Sequence, residues 1–243
     1  MIRGMRHAVI LPGSGSTADF VTRAFEPPLA AAGYALVAVE PPAGPHAVEE
    51  ALEALDDAVR RYRADLVGGV SLGAHLAVRW AAAAPAPRPR GLLLALPAWS
   101  GEPGEVAAAS GYAADRVDAL GTAGALAEAR PGGEPWVLAE LAAAWPAYGD
   151  RLAETLRATA RSAGPTAAEL ARVAAPAGIA AFADDPLHPL AVAQEWTRLL
   201  PRARLRTLAV TDAAADRAAL GRAALAGWQE AAVAGWQEAG GGR

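Results

Sequence analysis

The chain has 243 residues, of which 53% are hydrophobic and 20% charged, with a formal net charge of −4 at pH 7 and no cysteine. This composition predicts a packed protein of one α/β domain or two small ones, and it argues against a disordered chain. Without cysteine the chain forms no disulfide, thiolate nucleophile or cysteine metal site. All 22 basic residues are arginine, which excludes every function that needs a lysine.

Two kinds of partner are not expected from the distribution of charge and hydropathy. The arginines are scattered, whereas a nucleic-acid site needs a concentrated basic surface. No apolar run of membrane-spanning length is free of charges and of Pro/Gly breaks, so we expect no membrane span. The run Met1–Arg6 is too short for a signal peptide before the Pro12-Gly13 break. We therefore expect a cytoplasmic protein, and the sequence does not indicate its oligomeric state.

In the first hundred residues, short apolar runs alternate with longer amphipathic ones, a pattern typical of a parallel sheet flanked by helices. The first helix should begin near Thr17 or Asp19 and be closed by Gly33. Pro27-Pro28 should interrupt that helix, and Pro85-Ala86-Pro87 should end the third one. The predicted strands are residues 7–11, 34–39, 66–70 and 91–96, and the second helix covers residues 48–62.

The alternation stops between residues 98 and 175, which are alanine-rich and punctuated by glycine and proline but contain no convincing strand. An all-helical insertion between strands of one sheet predicts a cap over the sheet edge. Strands are predicted again at 179–182 and 205–210, with a helix at 190–200 and a helical tail from Ala213. We therefore divide the chain into a core, residues 1–97 and 176–243, and a cap, residues 98–175.

Ser71 lies in the run Gly69-Val70-Ser71-Leu72-Gly73, where a predicted strand turns directly into a helix. Glycines on both sides leave room for a strained turn that exposes the serine hydroxyl. The helix that begins there points its free N–H groups at the same spot. A tetrahedral oxyanion formed on Ser71 would accept the Leu72 N–H, and the Pro12-Gly13-Ser14-Gly15 turn would supply Ser14 N–H as the second donor.

These motifs resemble those of the α/β-hydrolase family, in a short form that begins at the strand before the oxyanion turn. Three features match in order: the Pro-Gly-Ser-Gly turn, the Gly-Val-Ser-Leu-Gly elbow, and the loop Asp185-Pro186-Leu187-His188-Pro189 after a late strand. The resemblance implies an α/β-hydrolase fold with a cap at the helical insertion. It also implies that Asp185 is the catalytic acid, although an aspartate before a proline is in itself an ordinary turn starter.

The sequence departs from the family at the catalytic histidine, which should follow the last strand. That region reads Ala209-Val210-Thr211-Asp212 and continues without a histidine. A serine is a poor nucleophile unless a base takes its proton. The substitute that we favour is His188, because its loop lies at the carboxyl end of a strand near the elbow. Asp184, Asp185 or Asp212 could orient its ring; alternatively, His188 lines the pocket rim.

The other titratable candidates have plainer interpretations. His7 opens the first strand at the opposite end of the sheet, and His46 follows a proline-rich turn that could reach the pocket rim. His75, one turn after Ser71, is expected to pack against the sheet or neighbouring loops. Asp212 could act as a weak base if burial raised its pKa, but it is more typical of a helix cap.

The favoured function is hydrolysis of an ester or thioester of a small hydrophobic acyl compound, with Ser71 as nucleophile and His188 and Asp185 managing protons. Trp99, Trp136 and Trp145 of the cap would suit an apolar substrate, although tryptophans in such a layer are more often core. We expect no cofactor, metal, nucleic acid or membrane partner. Two alternatives stay open: a hydrolytically silent protein that binds a ligand, and a lyase or cyclase that uses the same oxyanion hole.

Overall fold

The computed structural model describes residues 5–83 and 89–240. Six parallel strands form one sheet in the order β2-β1-β3-β4-β5-β6. Since all strands run in the same direction, their carboxyl ends meet at one edge, where open α/β sheets place their functional sites. The strands are β1 (Arg6–Leu11), β2 (Tyr34–Ala38), β3 (Leu66–Val70), β4 (Gly91–Ala95), β5 (Ala177–Phe182) and β6 (Ala203–Leu208).

Helices cover both faces of this sheet, and successive residues of a strand point to opposite faces. Leu92 and Leu94 of β4 pack in one cluster with residues of α2, α3, α7 and α8. Leu93, between them, packs in a second cluster with residues of α1 and α10. These helices are α1 (Ala18–Ala31), α2 (Ala47–Tyr62), α3 (Leu72–Ala83), α7 (Ala167–Arg172), α8 (Leu190–Leu199) and α10 (Ala218–Gly240).

The predicted interruption of the first helix was wrong, because α1 continues through Pro27 and Pro28. Pro28 has no N–H to donate to the Ala24 carbonyl, which is the normal partner four residues earlier. That carbonyl lies against Gly221 of α10, where a Cβ would come within 2.2 Å of the oxygen. The helix closes, as predicted, at Gly33, whose φ of +77° suits a glycine. The predicted end of α3 at Pro85–Pro87 lies outside the described residues.

The regular elements between β4 and β5 are all helical. They are α4 (Glu105–Ala129), α5 (Pro135–Ala144), a 3₁₀ segment (Trp145–Arg151), α6 (Leu152–Arg161) and α7. Glu140 of α5 fastens one side of the chain between β4 and β5, since its carboxylate accepts hydrogen bonds from Arg23 and, at 2.9 Å, from Arg217. The helix α7 belongs instead to the core cluster through Leu170. The division at residues 98 and 175 stays a prediction.

The last strand ends earlier than predicted. Pairing with β5 covers Ala203–Leu208, and a short helix, α9 (Val210–Ala215), begins where the prediction continued the strand. The reason is local: the Asp212 carboxylate accepts the Ala209 N–H at 2.9 Å, which caps the start of a helix. Within the described residues, no helix is both long and apolar enough to cross a membrane.

Candidate active site

Ser71 occupies a strained turn between β3 and α3. Its φ is +53°, a left-handed conformation that residues other than glycine rarely adopt. The neighbouring glycines make this turn possible, because a Cβ on Gly69 would lie 2.2 Å from the Gly73 carbonyl carbon. A Cβ on Gly73 would lie 2.5 Å from the Leu11 carbonyl oxygen. Strain of this kind persists only where the surrounding structure enforces it, and it clusters at functional sites.

Ser71, His188 and Asp185 form one chain of hydrogen bonds. His188 Nε2 lies 3.1 Å from Ser71 Oγ, and His188 Nδ1 lies 2.6 Å from Asp185 Oδ2. The loop that carries both residues is ordered by Asp185 Oδ1, which accepts the Leu187 N–H at 2.8 Å. The imidazole and the carboxylate are 19% and 14% exposed, so both are partly shielded from water. The structure thus brings together the three residues that the sequence proposed for this role.

The electrostatics of Asp185 favour its ionised form. Burial acts to raise the pKa of this carboxyl, but the hydrogen bonds from the His188 ring and from the Leu187 and His188 backbone N–H groups lower it below its usual value. An ionised carboxylate can only accept a hydrogen bond, so the Nδ1 atom beside it carries a proton. In the neutral form of the His188 ring, Nε2 is then the nitrogen without a proton, and it faces the Ser71 hydroxyl.

The two other aspartates that were considered for orienting His188 have structural roles. Asp184 Oδ1 accepts the Val210 N–H at 3.1 Å, and Asp212 caps the start of α9. Asp184 therefore joins the loop after β5 to the residues after β6. Of the three aspartates, Asp185 is the one that contacts the imidazole.

His75 packs against the chain segment that leaves β4, as the sequence interpretation expected. It is fully buried, and its Nε2 accepts the Ala98 N–H at 3.1 Å and the Trp99 N–H at 3.4 Å. Burial, together with the charges of His188 and Arg79, lowers the pKa of His75 to about 3. A neutral His75 with its proton on Nδ1 follows from these contacts, so this ring is a fixed acceptor and not a mobile base.

The remaining two histidines lie away from this chain of hydrogen bonds. His7 is the second residue of β1, near the amino end of the sheet, where its ring centroid lies 5.5 Å from that of Tyr62. His46 is exposed at the start of α2 and forms no side-chain capping bond there.

The predicted oxyanion turn lies directly against the elbow. Ser16 N donates to the Gly13 carbonyl at 3.1 Å, which closes a tight turn over residues 13–16. A Cβ on Gly13 would lie 3.2 Å from Ser71 Cβ, so this turn and the serine are in contact. Among the described residues neither the Ser14 N–H nor the Leu72 N–H has a hydrogen-bond acceptor. These two N–H groups are the ones that the sequence analysis proposes as oxyanion donors.

Three residues of the helical segment between β4 and β5, which the sequence does not single out for this place, contact the same turn. Thr159 Oγ1 lies 2.6 Å from Ser14 Oγ, and the Tyr148 hydroxyl donates to the Ser16 carbonyl at 2.5 Å. The Trp145 indole lies beside Gly15, where a Cβ would come within 3.0 Å of Nε1. The sequence predicts Trp145 only as an aromatic residue of the cap, and it packs in a buried cluster formed by the helices between β4 and β5. The spacing of Thr155 and Thr159 on α6 is the one local signal that could have indicated a polar contact.

In the part of the chain that the structure describes, no group of three or more histidine, aspartate and glutamate side chains is arranged to hold a metal ion.

Solved structures of three hydrolases are similar to this one. An enol-lactonase from Burkholderia xenovorans LB400 matches with a TM-score of 0.66 and 20% identity, over 87% of this chain and 88% of that chain. A carboxylesterase from Nitrososphaera gargenis matches with a TM-score of 0.68 and 11% identity, over 85% of this chain and 82% of that chain. A thermophilic esterase from Thermogutta terrifontis matches with a TM-score of 0.64 and 14% identity, over 84% of this chain and 81% of that chain. No protein-family model and no curated protein matches the sequence. At these identities the likeness shows a shared fold, and it confirms the fold that the sequence predicted.

Proposed function

The chain has the α/β-hydrolase fold, and on that premise we propose that it is a serine hydrolase of esters or thioesters of small hydrophobic acyl compounds. The observation that carries the proposal is the chain of hydrogen bonds from Ser71 Oγ through His188 to Asp185, with distances of 3.1 Å and 2.6 Å. Nucleophile, base and orienting carboxylate within hydrogen-bond reach are the geometric requirement for an activated serine.

In the first half of the reaction, His188 Nε2 takes the proton of Ser71 as Oγ attacks the acyl carbon. Asp185 accepts the hydrogen bond from the Nδ1–H group and thereby stabilises the imidazolium. The tetrahedral oxyanion accepts the Ser14 and Leu72 N–H groups. When this intermediate collapses, the bond to the leaving alkoxide or thiolate breaks, and His188 returns the proton to the leaving group.

In the second half, water replaces the leaving group. His188 Nε2 takes a proton from the water as its oxygen attacks the acyl carbon, and the same amides hold the second oxyanion. Collapse breaks the bond to Ser71 Oγ, which recovers its proton from His188. This half releases a carboxylic acid and regenerates the Ser71 hydroxyl. Together with the alcohol or thiol released in the first half, the products balance without a redox partner.

The substrate class is supported by the apolar character of the residues around the nucleophile. Leu72 and Leu96, which follow β3 and β4 at the active edge, are buried. Trp136 of α5 lies edge-on to Phe182, the last residue of β5 before the acid loop, with ring centroids 6.2 Å apart. The similar solved structures include a lactonase and two esterases, whose bond type agrees with this proposal.

The test is labelling of the purified full-length protein with a fluorophosphonate probe, which reacts with activated serines. Wild type should label at one site, and labelling should disappear in Ser71→Ala and His188→Ala. His46→Ala is the matched control, because it removes an exposed histidine outside the site and should label like wild type. Heat-denatured wild type should not label.

Each contrary outcome points to one of the alternatives. A folded wild type that does not label would contradict the hydrolase proposal and favour a ligand-binding protein. A Ser71→Ala variant with full activity on its substrate would contradict the nucleophile and favour lyase or cyclase chemistry. If labelling succeeds, p-nitrophenyl esters and acyl thioesters of increasing acyl length should show kcat/KM rising with apolar acyl size up to the size that the site admits.

A further inference from the structure

The turn of residues 13–16, which we call the oxyanion turn, is held from two directions. On the core side, Gly13 lies against Ser71 and the Val70 carbonyl. On the cap side, each of the next three residues is contacted by one residue of the 3₁₀ segment or α6. Since these cap residues are more than a hundred positions away in sequence, the contacts result from tertiary folding alone.

The contact between Thr159 and Ser14 is not needed to satisfy Thr159. This threonine is 2% exposed, and its Oγ1 lies 3.1 Å from the Thr155 carbonyl of its own helix. A buried helical threonine can satisfy its hydroxyl with that bond alone. The further contact of 2.6 Å with Ser14 Oγ therefore constrains the turn, whichever hydroxyl supplies the proton.

Tyr148 constrains the far end of the same turn. Its hydroxyl is a fixed donor to the Ser16 carbonyl at 2.5 Å, and burial keeps it protonated by raising the pKa of Tyr148 above its usual value. Between the two contacts lies Gly15, with a φ of +66°, against the Trp145 indole. A side chain at Gly15 would be strained by that φ and would meet the indole.

We propose that Thr159 and Tyr148 are positioning residues for catalysis, which hold the oxyanion turn so that the Ser14 N–H faces the acyl oxygen on Ser71. This inference rests on the proposed function of the site. An oxyanion donor acts on charge that develops in the transition state, so its exact placement affects kcat more than substrate affinity. The cap is then part of the catalytic centre as well as a cover for the substrate.

The test compares two threonines of α6 that lie one turn apart and are both buried. Thr159→Val and Tyr148→Phe remove the contacts with the oxyanion turn and keep the shape of the side chains. Thr155→Val is the matched control, since Thr155 Oγ1 accepts the Gly44 N–H at 2.7 Å and so ties the same helix to a different loop. Steady-state ester hydrolysis and thermal unfolding are measured for each variant.

We expect kcat to fall on the order of 10-fold in each of Thr159→Val and Tyr148→Phe, and on the order of 100-fold in the double variant, with KM within about two-fold of wild type. Thr159→Ser keeps the hydroxyl and should restore most of kcat. Thr155→Val should lower the melting temperature as much as Thr159→Val does while keeping kcat. Equal kcat losses in Thr155→Val and Thr159→Val would overturn the inference, because they would show a general effect of loosening the cap.

The failure of the proposed function is distinguishable from the failure of this inference. A wild type that neither labels nor hydrolyses esters contradicts the proposed function. Hydrogen exchange of the peptide that contains residues 12–20 then decides the positioning role by itself. Faster exchange in the Thr159→Val/Tyr148→Phe double variant than in Thr155→Val would support it, and equal exchange would overturn it.

Discussion

The carboxyl ends of β5 and β6 are adjacent in the sheet, but the chain segments that follow these two strands differ in structure and in the side chains they carry. After β5, one loop carries both Asp185 and His188, which reach Ser71 as a hydrogen-bonded chain. After β6, where the family resemblance led us to expect the histidine, the chain enters the short helix α9, capped by Asp212. The difference teaches that the position of an imidazole in the folded chain, and not the strand that precedes it, decides whether it comes within hydrogen-bond reach of the serine.

The two ends are also physically connected. Asp184, beside the proposed catalytic acid, accepts the Val210 N–H from the start of α9. The end of β6 thus supports the loop after β5, although it contributes no side chain to the chain of hydrogen bonds. This division predicts that substitutions of Asp185 and His188 change the reaction, whereas substitutions of Asp184 and of residues after β6 change stability.

The largest effect is expected from removing the imidazole. His188→Ala should lower kcat/KM for an activated ester by on the order of 10³-fold or more, since the serine loses its base while the oxyanion donors remain. Steady-state kinetics with a p-nitrophenyl ester measures this effect. Asp212→Asn, which acts after β6, should stay within about two-fold of wild type. A comparable loss in Asp212→Asn would show that the base function is shared between the two ends.

The second effect separates the adjacent aspartates of the β5 loop. Asp185→Asn should lower kcat by on the order of 10²- to 10⁴-fold, because the amide no longer fixes the proton of His188 on Nδ1. Asp184→Asn should lower the stability and leave kcat nearly unchanged. The kcat values of the two variants, compared at pH 7, check this prediction, and the reverse order of losses would reassign the acid to Asp184.

The third effect is a pH dependence of stability that comes from His75, the buried histidine near the elbow. The pKa of His75 is lowered from 6.5 to about 3 by burial, so the unfolded state binds a proton below about pH 6.5 that the folded state does not. Stability is then lost as the pH falls from about 6.5 towards 3, by up to about 1.4 kcal/mol per pH unit for this proton. Urea unfolding of wild type and His75→Gln between pH 7 and 4.5 measures it.

In His75→Gln this part of the pH dependence should disappear, although the variant is less stable than wild type at pH 7. The upper part of the acid range is chosen because Asp185 also destabilises the folded state on acidification, at lower pH, through its lowered pKa. Parallel pH profiles for the two proteins would contradict a neutral, buried His75.

The smallest effect is expected at the cap of α9. Asp212→Ala removes the acceptor of the Ala209 N–H and should lower the free energy of unfolding by about 1 kcal/mol. Esterase activity should be retained. Chemical denaturation with an unchanged m-value checks the stability change, and an activity loss larger than the stability change explains would contradict the purely structural role of this residue.

Local patterns in the sequence determined the sheet and the elbow. The apolar runs at β1, β3 and β4 are short, and their predicted limits agree with the structure to within one residue. The elbow follows from a serine between two glycines that no larger residue could replace. Where local signals compete, the prediction was wrong: Pro27-Pro28 does not stop α1, because a neighbouring helix accommodates the free carbonyl, and Asp212 turns the end of the last predicted strand into a helix.

The sequence also proposed Ser71, Asp185 and His188, but their arrangement was decided by the tertiary structure. Ser71 and His188 are 117 positions apart, and Ser14 and Thr159 are 145 positions apart. No periodicity or spacing encodes such a contact, since it depends on how the parallel strands align their carboxyl ends and how α6 and the 3₁₀ segment pack on the turn of residues 13–16. The sequence determines which groups are available for chemistry, and packing determines which of them lie within hydrogen-bond reach of one another.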